Sequence, residues 1–167
     1  MATPKNRKKA TISKRWQVQI LIEKKSPIIQ KTWISKITKN ILTNWLANEI
    51  PSETDELSIV FTSDKNIQVL NRDYRKKDKA TDVLSFPQIV KGKGSFPSKS
   101  LGDLVISVDT AKIQAKKYGV TFKEEIARLL VHGILHLAGY DHEGVTKKEA
   151  QRMRRKEAGI MRALFNN

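Results

Sequence analysis

The sequence contains no cysteine among its 167 residues. This absence excludes a disulfide framework, a thiol nucleophile and a zinc site with thiolate ligands, so any metal site would use histidine and carboxylate. No segment approaches the roughly 18 consecutive apolar residues that cross a bilayer. We therefore expect a protein without a membrane-spanning helix, whose length suits one domain.

Acidic residues are also scarce. Only 17 Asp and Glu stand against 32 Lys and Arg, which leaves a net charge of +15. A chain this basic favours a polyanionic partner, and RNA or DNA is a more favoured partner than an anionic membrane.

The basic residues are dense in the first fifteen positions, which carry no acid and little apolar side chain. This composition predicts a disordered basic tail over 1–15 and a folded domain over 16–165. The apolar core of a signal peptide is missing, so the cytoplasm is the expected location. Import into an organelle is less favoured, because transit peptides are rich in Ser and Arg and this tail is mostly Lys.

Hydrophobic periodicity and capping residues give the order strand, helix, strand, helix, two strands and three helices. The first helix is predicted to start at Ser26 and Pro27 and to end near Asn48. The last two are predicted from capping boxes that begin at Thr121 and Thr146. This order predicts an α+β fold, in which helices pack a mixed four-stranded sheet within a single domain.

All three histidines of the chain lie within eleven residues, at His132, His136 and His142. His132 and His136 are four apart on a predicted helix, so both imidazoles project from one face. Gly139 can end that helix in a left-handed conformation and return His142 toward the same point. The spacing predicts a metal site rather than three packed core histidines.

Three neutral imidazoles favour one Zn²⁺ per chain, although Ni²⁺, Co²⁺ or Cu²⁺ are chemically compatible. Three protein ligands leave one coordination position for water or substrate, as in catalytic zinc sites. Hydrolysis is the chemistry that this arrangement favours.

The same spacing occurs in the zincin-like metal helix of metzincin peptidases, where Glu directly follows the first histidine as general base. Here that position is Gly133, so a zinc metallopeptidase is an alternative and not the leading hypothesis. The nearest carboxylates in sequence are Asp141 and Glu143. Either could orient a ligating imidazole or act as general base, or both could be solvated turn residues.

The run from His132 to His142 resembles the signature of the YbeY family, which are metal-dependent, single-strand-specific endoribonucleases. The segments Leu70–Pro87 and Leu101–Ser107 resemble two further blocks of that family, in the expected order. Ala80 stands where proline is common, a difference that affects loop stiffness rather than chemistry.

The resemblance implies an α+β fold, zinc held by the three histidines, and a catalytic arginine at Arg75. It also implies action on single-stranded RNA, in maturation of the 16S rRNA 3′ end and in ribosome quality control, with rRNA and the ribosome or its small subunit as partners. Arg75 suits the role, since a guanidinium can hold a phosphate through two parallel hydrogen bonds. RNA-backbone contacts are expected from three neighbouring lysines: Lys76, Lys77 and Lys79. A noncatalytic, zinc-stapled RNA-binding protein of the ribosome is the second alternative.

Overall fold

The computed structural model describes residues 15–89 and 98–165. The predicted tail over 1–15 therefore lies outside the described residues, apart from Arg15. The strands are β1 (Gln17–Ile22), β2 (Glu56–Thr62), β3 (Val83–Pro87) and β4 (Ser100–Ser107). The helices are α1 (Lys31–Asn40), which continues as a π-helical turn (Ile41–Trp45), α2 (Asp64–Arg75), α3 (Val108–Tyr118), α4 (Phe122–Leu137) and α5 (Lys147–Phe165).

The four strands form one mixed sheet in the order β1-β2-β4-β3. The β1–β2 and β2–β4 pairs are parallel, and β3 is an antiparallel edge strand on β4. The prediction of a mixed four-stranded sheet with helices in an α+β domain is confirmed.

The two faces of the sheet are covered unequally. Alternate residues of β2 and β4, such as Leu57, Phe61 and Leu104, enter the main core with residues of α1, α3, α4 and α5. Residues of the opposite parity enter a smaller cluster, where Val105 packs with Ile67 of α2. This split follows from the two-residue period of a strand. Most of α4 is buried because it lies between the sheet and the other helices.

The first helix starts later than the sequence predicted. Pro27 lies in a turn, in which the Ile29 amide donates to the Ser26 carbonyl at 3.0 Å, and α1 begins only at Lys31. Ser26 and Pro27 therefore make a turn before the helix instead of its first turn. Proline at the second position of a turn has the same fixed φ that suits a helix start, so local sequence does not separate the two.

Both predicted capping boxes are confirmed. The Thr121 hydroxyl accepts from the Glu124 amide at 3.1 Å, while Glu124 accepts from the Thr121 amide at 2.8 Å. Thr146 and Glu149 make the same reciprocal pair before α5. Within the described ranges, no helix is both long enough and apolar enough to cross a bilayer.

Candidate metal centre

The end of α4 positions the candidate metal ligands. The helix stops in a Schellman motif, in which the Gly139 amide donates to the His136 carbonyl and the Tyr140 amide donates to the Leu135 carbonyl, both at 3.0 Å. Gly139 has φ of +91°, a left-handed conformation that a side chain would strain. The chain therefore reverses immediately after the second histidine, as its sequence predicted.

His132, His136 and His142 form one cluster, which we call the histidine cluster. One ring nitrogen from each lies within 4.8 Å of the others, and all three residues are half-buried. The ring centroids are separated by 4.8 to 5.1 Å. The reversal at Gly139 thus brings His142 back to the two helical histidines.

Two observations fit a cation at this cluster. The Nε2 atoms of His132 and His136 are 3.2 Å apart, and two nitrogens at about 2.0–2.1 Å from a tetrahedral zinc would be separated by about 3.3 Å. In addition, the buried Nδ1 of His142 has no hydrogen-bond partner among the described residues. Buried polar atoms normally have a partner, and a bound cation would supply one.

The surroundings of His136 favour its neutral imidazole form. Burial lowers the pKa of His136, and the neighbouring His132 and His142 rings lower it further. A neutral imidazole is the form that coordinates a metal.

The two carboxylates nominated from sequence differ in their surroundings. Asp141 accepts hydrogen bonds from the amides of His142 at 2.7 Å and Glu143 at 3.0 Å. The amide of Glu143 is the main cause that lowers the pKa of Asp141. Glu143 is 67% exposed, and its carboxylate lies 3.9 Å from Nε2 of His142. Asp141 thus stabilises the turn, whereas Glu143 extends into solvent beside the cluster.

Arg75 lies next to this turn, although 67 residues separate it from His142 in the chain. Its Nη2 atom is 3.7 Å from a carboxylate oxygen of Glu143. Helix α2 ends at Arg75, and Lys76 follows it in a left-handed conformation, at φ of 58°. The fold therefore brings Arg75 to the edge of the histidine cluster.

The three lysines nominated as RNA contacts follow Arg75 on the surface. All three are exposed, and Lys76 donates to the Asp73 carbonyl at 2.9 Å. The buried Asn71 fixes this loop, because its side-chain amide donates a hydrogen bond to the Lys79 carbonyl at 2.8 Å. Lys77 and Lys79 thus lie on an anchored loop beside Arg75.

Gly133 faces the sheet. A Cβ atom at this position would lie 2.7 Å from Cδ2 of the fully buried Leu104 and 3.4 Å from Oγ of Ser85. Ser85 also donates to the Gly133 carbonyl at 3.4 Å. The packing of α4 on β3 and β4 leaves no room for the glutamate that metzincins carry at this position.

Sequence reasoning missed one acidic residue at the cluster. Oε2 of Glu157, in α5, is 3.2 Å from Nδ1 of His132. The two residues are 25 positions apart in different helices. No spacing rule in the sequence links Glu157 to His132. The sequence offers only an acidic residue on the packed side of a basic helix as a sign of its role.

Comparison with known proteins shows which proteins this chain is similar to. The family model described as Endoribonuclease YbeY matches residues 19–165. A relative from Aquifex aeolicus, named Endoribonuclease YbeY, is 45% identical over 131 residues, which are 78% of this chain and 82% of that one.

A Myxococcus xanthus relative of the same name is 56% identical over 98 residues, which are 59% of this chain but 33% of that protein. The match therefore spans a third of that relative's length. The solution structure of TM1509 from Thermotoga maritima matches with a TM-score of 0.58 and 27% identity, over 90% of each chain.

Proposed function

Since this chain belongs to the YbeY family of endoribonucleases, we propose that it is a zinc-dependent endoribonuclease that hydrolyses single-stranded RNA. We further propose that it acts in 16S rRNA 3′-end maturation and in ribosome quality control. If the chain is bacterial, this function places it in the cytoplasm. The observation that carries the proposal is the convergence of three imidazoles beside an arginine.

The donor set supports zinc as the metal. The chain has no cysteine, and three neutral imidazoles with one remaining position are typical of catalytic zinc. The three residues that would hold it are His132, His136 and His142. A bound zinc ion supplies a Lewis acid and a nucleophilic water at neutral pH.

Arg75 is suited to bind the scissile phosphate. Its side chain is 49% exposed, and the ion pair that it makes with Glu143, at 3.7 Å, is too long for a strong hydrogen bond. The guanidinium can therefore exchange that partner for phosphate oxygens. Two parallel hydrogen bonds would orient the phosphate and stabilise the negative charge that develops on it in the transition state.

Glu143 is a better candidate for the general base than Asp141. The carboxylate of Asp141 accepts hydrogen bonds from two backbone amides. If Asp141 acted as the base, the turn would lose these stabilising hydrogen bonds. Glu143 accepts no backbone hydrogen bond within the described ranges and lies against Arg75. Once phosphate displaces it from Arg75, its carboxylate would be available to accept a proton from the attacking water.

The charge of the chain supports RNA as the substrate. The net charge of +15 would attract a polyanion, and Lys77 and Lys79 continue the positive surface that starts at Arg75. Single-stranded RNA is favoured, because a phosphate must be accessible in an unstacked backbone to reach a half-buried cluster. A peptidase is disfavoured by the enclosed position of Gly133.

The proposal is tested by cleavage of an end-labelled, single-stranded RNA that carries the small-subunit rRNA 3′ end and its precursor extension. Wild-type protein should cleave it, and the matching duplex should resist. Arg75→Ala should reduce the rate by about 10²–10³-fold, since removal of one transition-state donor typically costs that much. His136→Ala should abolish cleavage, whereas Lys117→Ala, on the exposed end of α3, should leave the rate unchanged.

Circular dichroism of each variant provides the folding control. Equal cleavage by all four proteins would indicate a contaminating ribonuclease and refute the proposal. Tight RNA binding without cleavage would instead support the noncatalytic binding protein. Cleavage of casein that depends on His136, with RNA left intact, would support the peptidase.

A further inference from the structure

The histidine cluster has an acidic neighbour that belongs to the C-terminal helix. Nδ1 of His132 lies 3.2 Å from Oε2 of Glu157. A carboxylate oxygen accepts hydrogen bonds, so Nδ1 is the donor in this pair. The same tautomer leaves Nε2 of His132 with its lone pair, and Nε2 is the atom that faces His136 at 3.2 Å.

Glu157 lies on a part of α5 that packs in the core. It lies on α5 between Met153 and Ile160, which are 1% and 0% exposed and anchor this face of the helix in the core. Arg128, one helical turn before His132, lies close enough for its charge to interact with Glu157. Arg128 is itself fixed by Glu125, whose oxygens accept from it at 2.7 to 3.2 Å.

The carboxylates nominated from sequence do not make such a contact. The side-chain oxygens of Asp141 and Glu143 lie 4.0 Å from His136 and 3.9 Å from His142, beyond hydrogen-bond distance. They are also 50% and 67% exposed, compared with 21% for Glu157. Within the described ranges, Glu157 is the carboxylate placed to orient a ring of the cluster.

We propose that Glu157 is a positioning residue for the metal site: its hydrogen bond fixes the tautomer and the ring orientation of His132, so that Nε2 is presented to the ion. The inference rests on the proposed metal function. A hydrogen bond of this kind commonly contributes about 10–100-fold to metal affinity.

The first test measures zinc affinity by competition with a chromogenic chelator. Glu157→Gln preserves size and helix propensity but removes the obligate acceptor, and should weaken zinc binding by about 10–100-fold. Leu164→Ala is the matched control, because it removes partly buried packing from the last turns of the same helix without touching His132. It should lower the melting temperature and leave zinc affinity unchanged.

The second measurement needs no metal. Nitrogen-15 NMR of the histidine rings in the metal-free protein should show His132 as the Nδ1–H tautomer in the wild type and in Leu164→Ala. In Glu157→Gln, a mixture of tautomers should appear, because an amide can either donate to Nδ1 or accept from it.

Equal zinc affinity and an unchanged tautomer in Glu157→Gln would overturn the inference. An equal loss of affinity in Leu164→Ala would also overturn it, since the effect would then come from helix docking alone. Failure of the wild type to bind zinc would refute the proposed function instead, and the His132 tautomer would still decide whether Glu157 positions the ring.

Discussion

Substitution of Gly133 by alanine tests whether packing against the sheet fixes this position of α4. The new Cβ would lie 2.7 Å from Cδ2 of Leu104 and 3.3 Å from Cδ1. Leu104 is fully buried, so its side chain cannot move into solvent. Overpacking of this kind costs about 1–3 kcal/mol, while alanine gains about 1 kcal/mol over glycine in a helix. We expect the free energy of unfolding to fall by about 0–2 kcal/mol.

A second glycine provides the control. Gly159 lies inside α5, and a Cβ there would lie 3.4 Å from Cζ3 of Trp45, at the edge of ordinary contact distance. Gly159→Ala should therefore keep most of the helix-propensity gain and raise the free energy of unfolding by up to about 1 kcal/mol. The two Gly→Ala changes should thus have opposite effects on stability.

A double-mutant cycle with Leu104→Val identifies the cause. Valine lacks the Cδ atoms that the new Cβ would meet, and alone it should cost about 1 kcal/mol. In the double mutant, the helix-propensity gain remains while the clash is relieved. Urea denaturation should therefore give a coupling energy of about 1–2 kcal/mol between the two sites. Additivity within about 0.5 kcal/mol would show that Leu104 does not enclose Gly133, and the reasoning would be wrong.

Two further predictions concern the cluster and its surroundings. Zinc at 100 times its dissociation constant should stabilise the chelator-treated protein by about 2.7 kcal/mol. For a chain of this length, that corresponds to a rise in Tm of about 5–11 °C. His136→Ala should remove this rise in Tm, and a rise that survives the substitution would place the metal elsewhere. Burial acts to raise the pKa of Glu49, but hydrogen bonds from Lys156 and Tyr140 outweigh it and hold the pKa below its ordinary 4.5. The ionised Glu49 carboxylate therefore stabilises the fold above pH 4.5. The difference in free energy of unfolding between wild type and Glu49→Gln should shrink as pH falls from about 6 to 3.5. A constant difference across that range would show that ionisation of Glu49 does not stabilise the fold.

Local sequence predicted the features that depend on a few neighbouring residues. The capping boxes at Thr121 and Thr146 formed as expected, since each involves residues three positions apart. The order of strands and helices also followed from periodicity. The start of α1 did not, because Ser26 and Pro27 suit a turn and a helix start equally well and only the packing of later residues separates them.

The convergence of the three histidines was determined by the sequence itself, since the four-residue helical spacing and the left-handed Gly139 act within eleven positions. Only the tertiary structure decided what surrounds them. The contact of Arg75 with Glu143, the enclosure of Gly133 by Leu104 and the hydrogen bond of Glu157 each join separate elements. Such contacts depend on how helices pack on the sheet, and no local spacing encodes that arrangement.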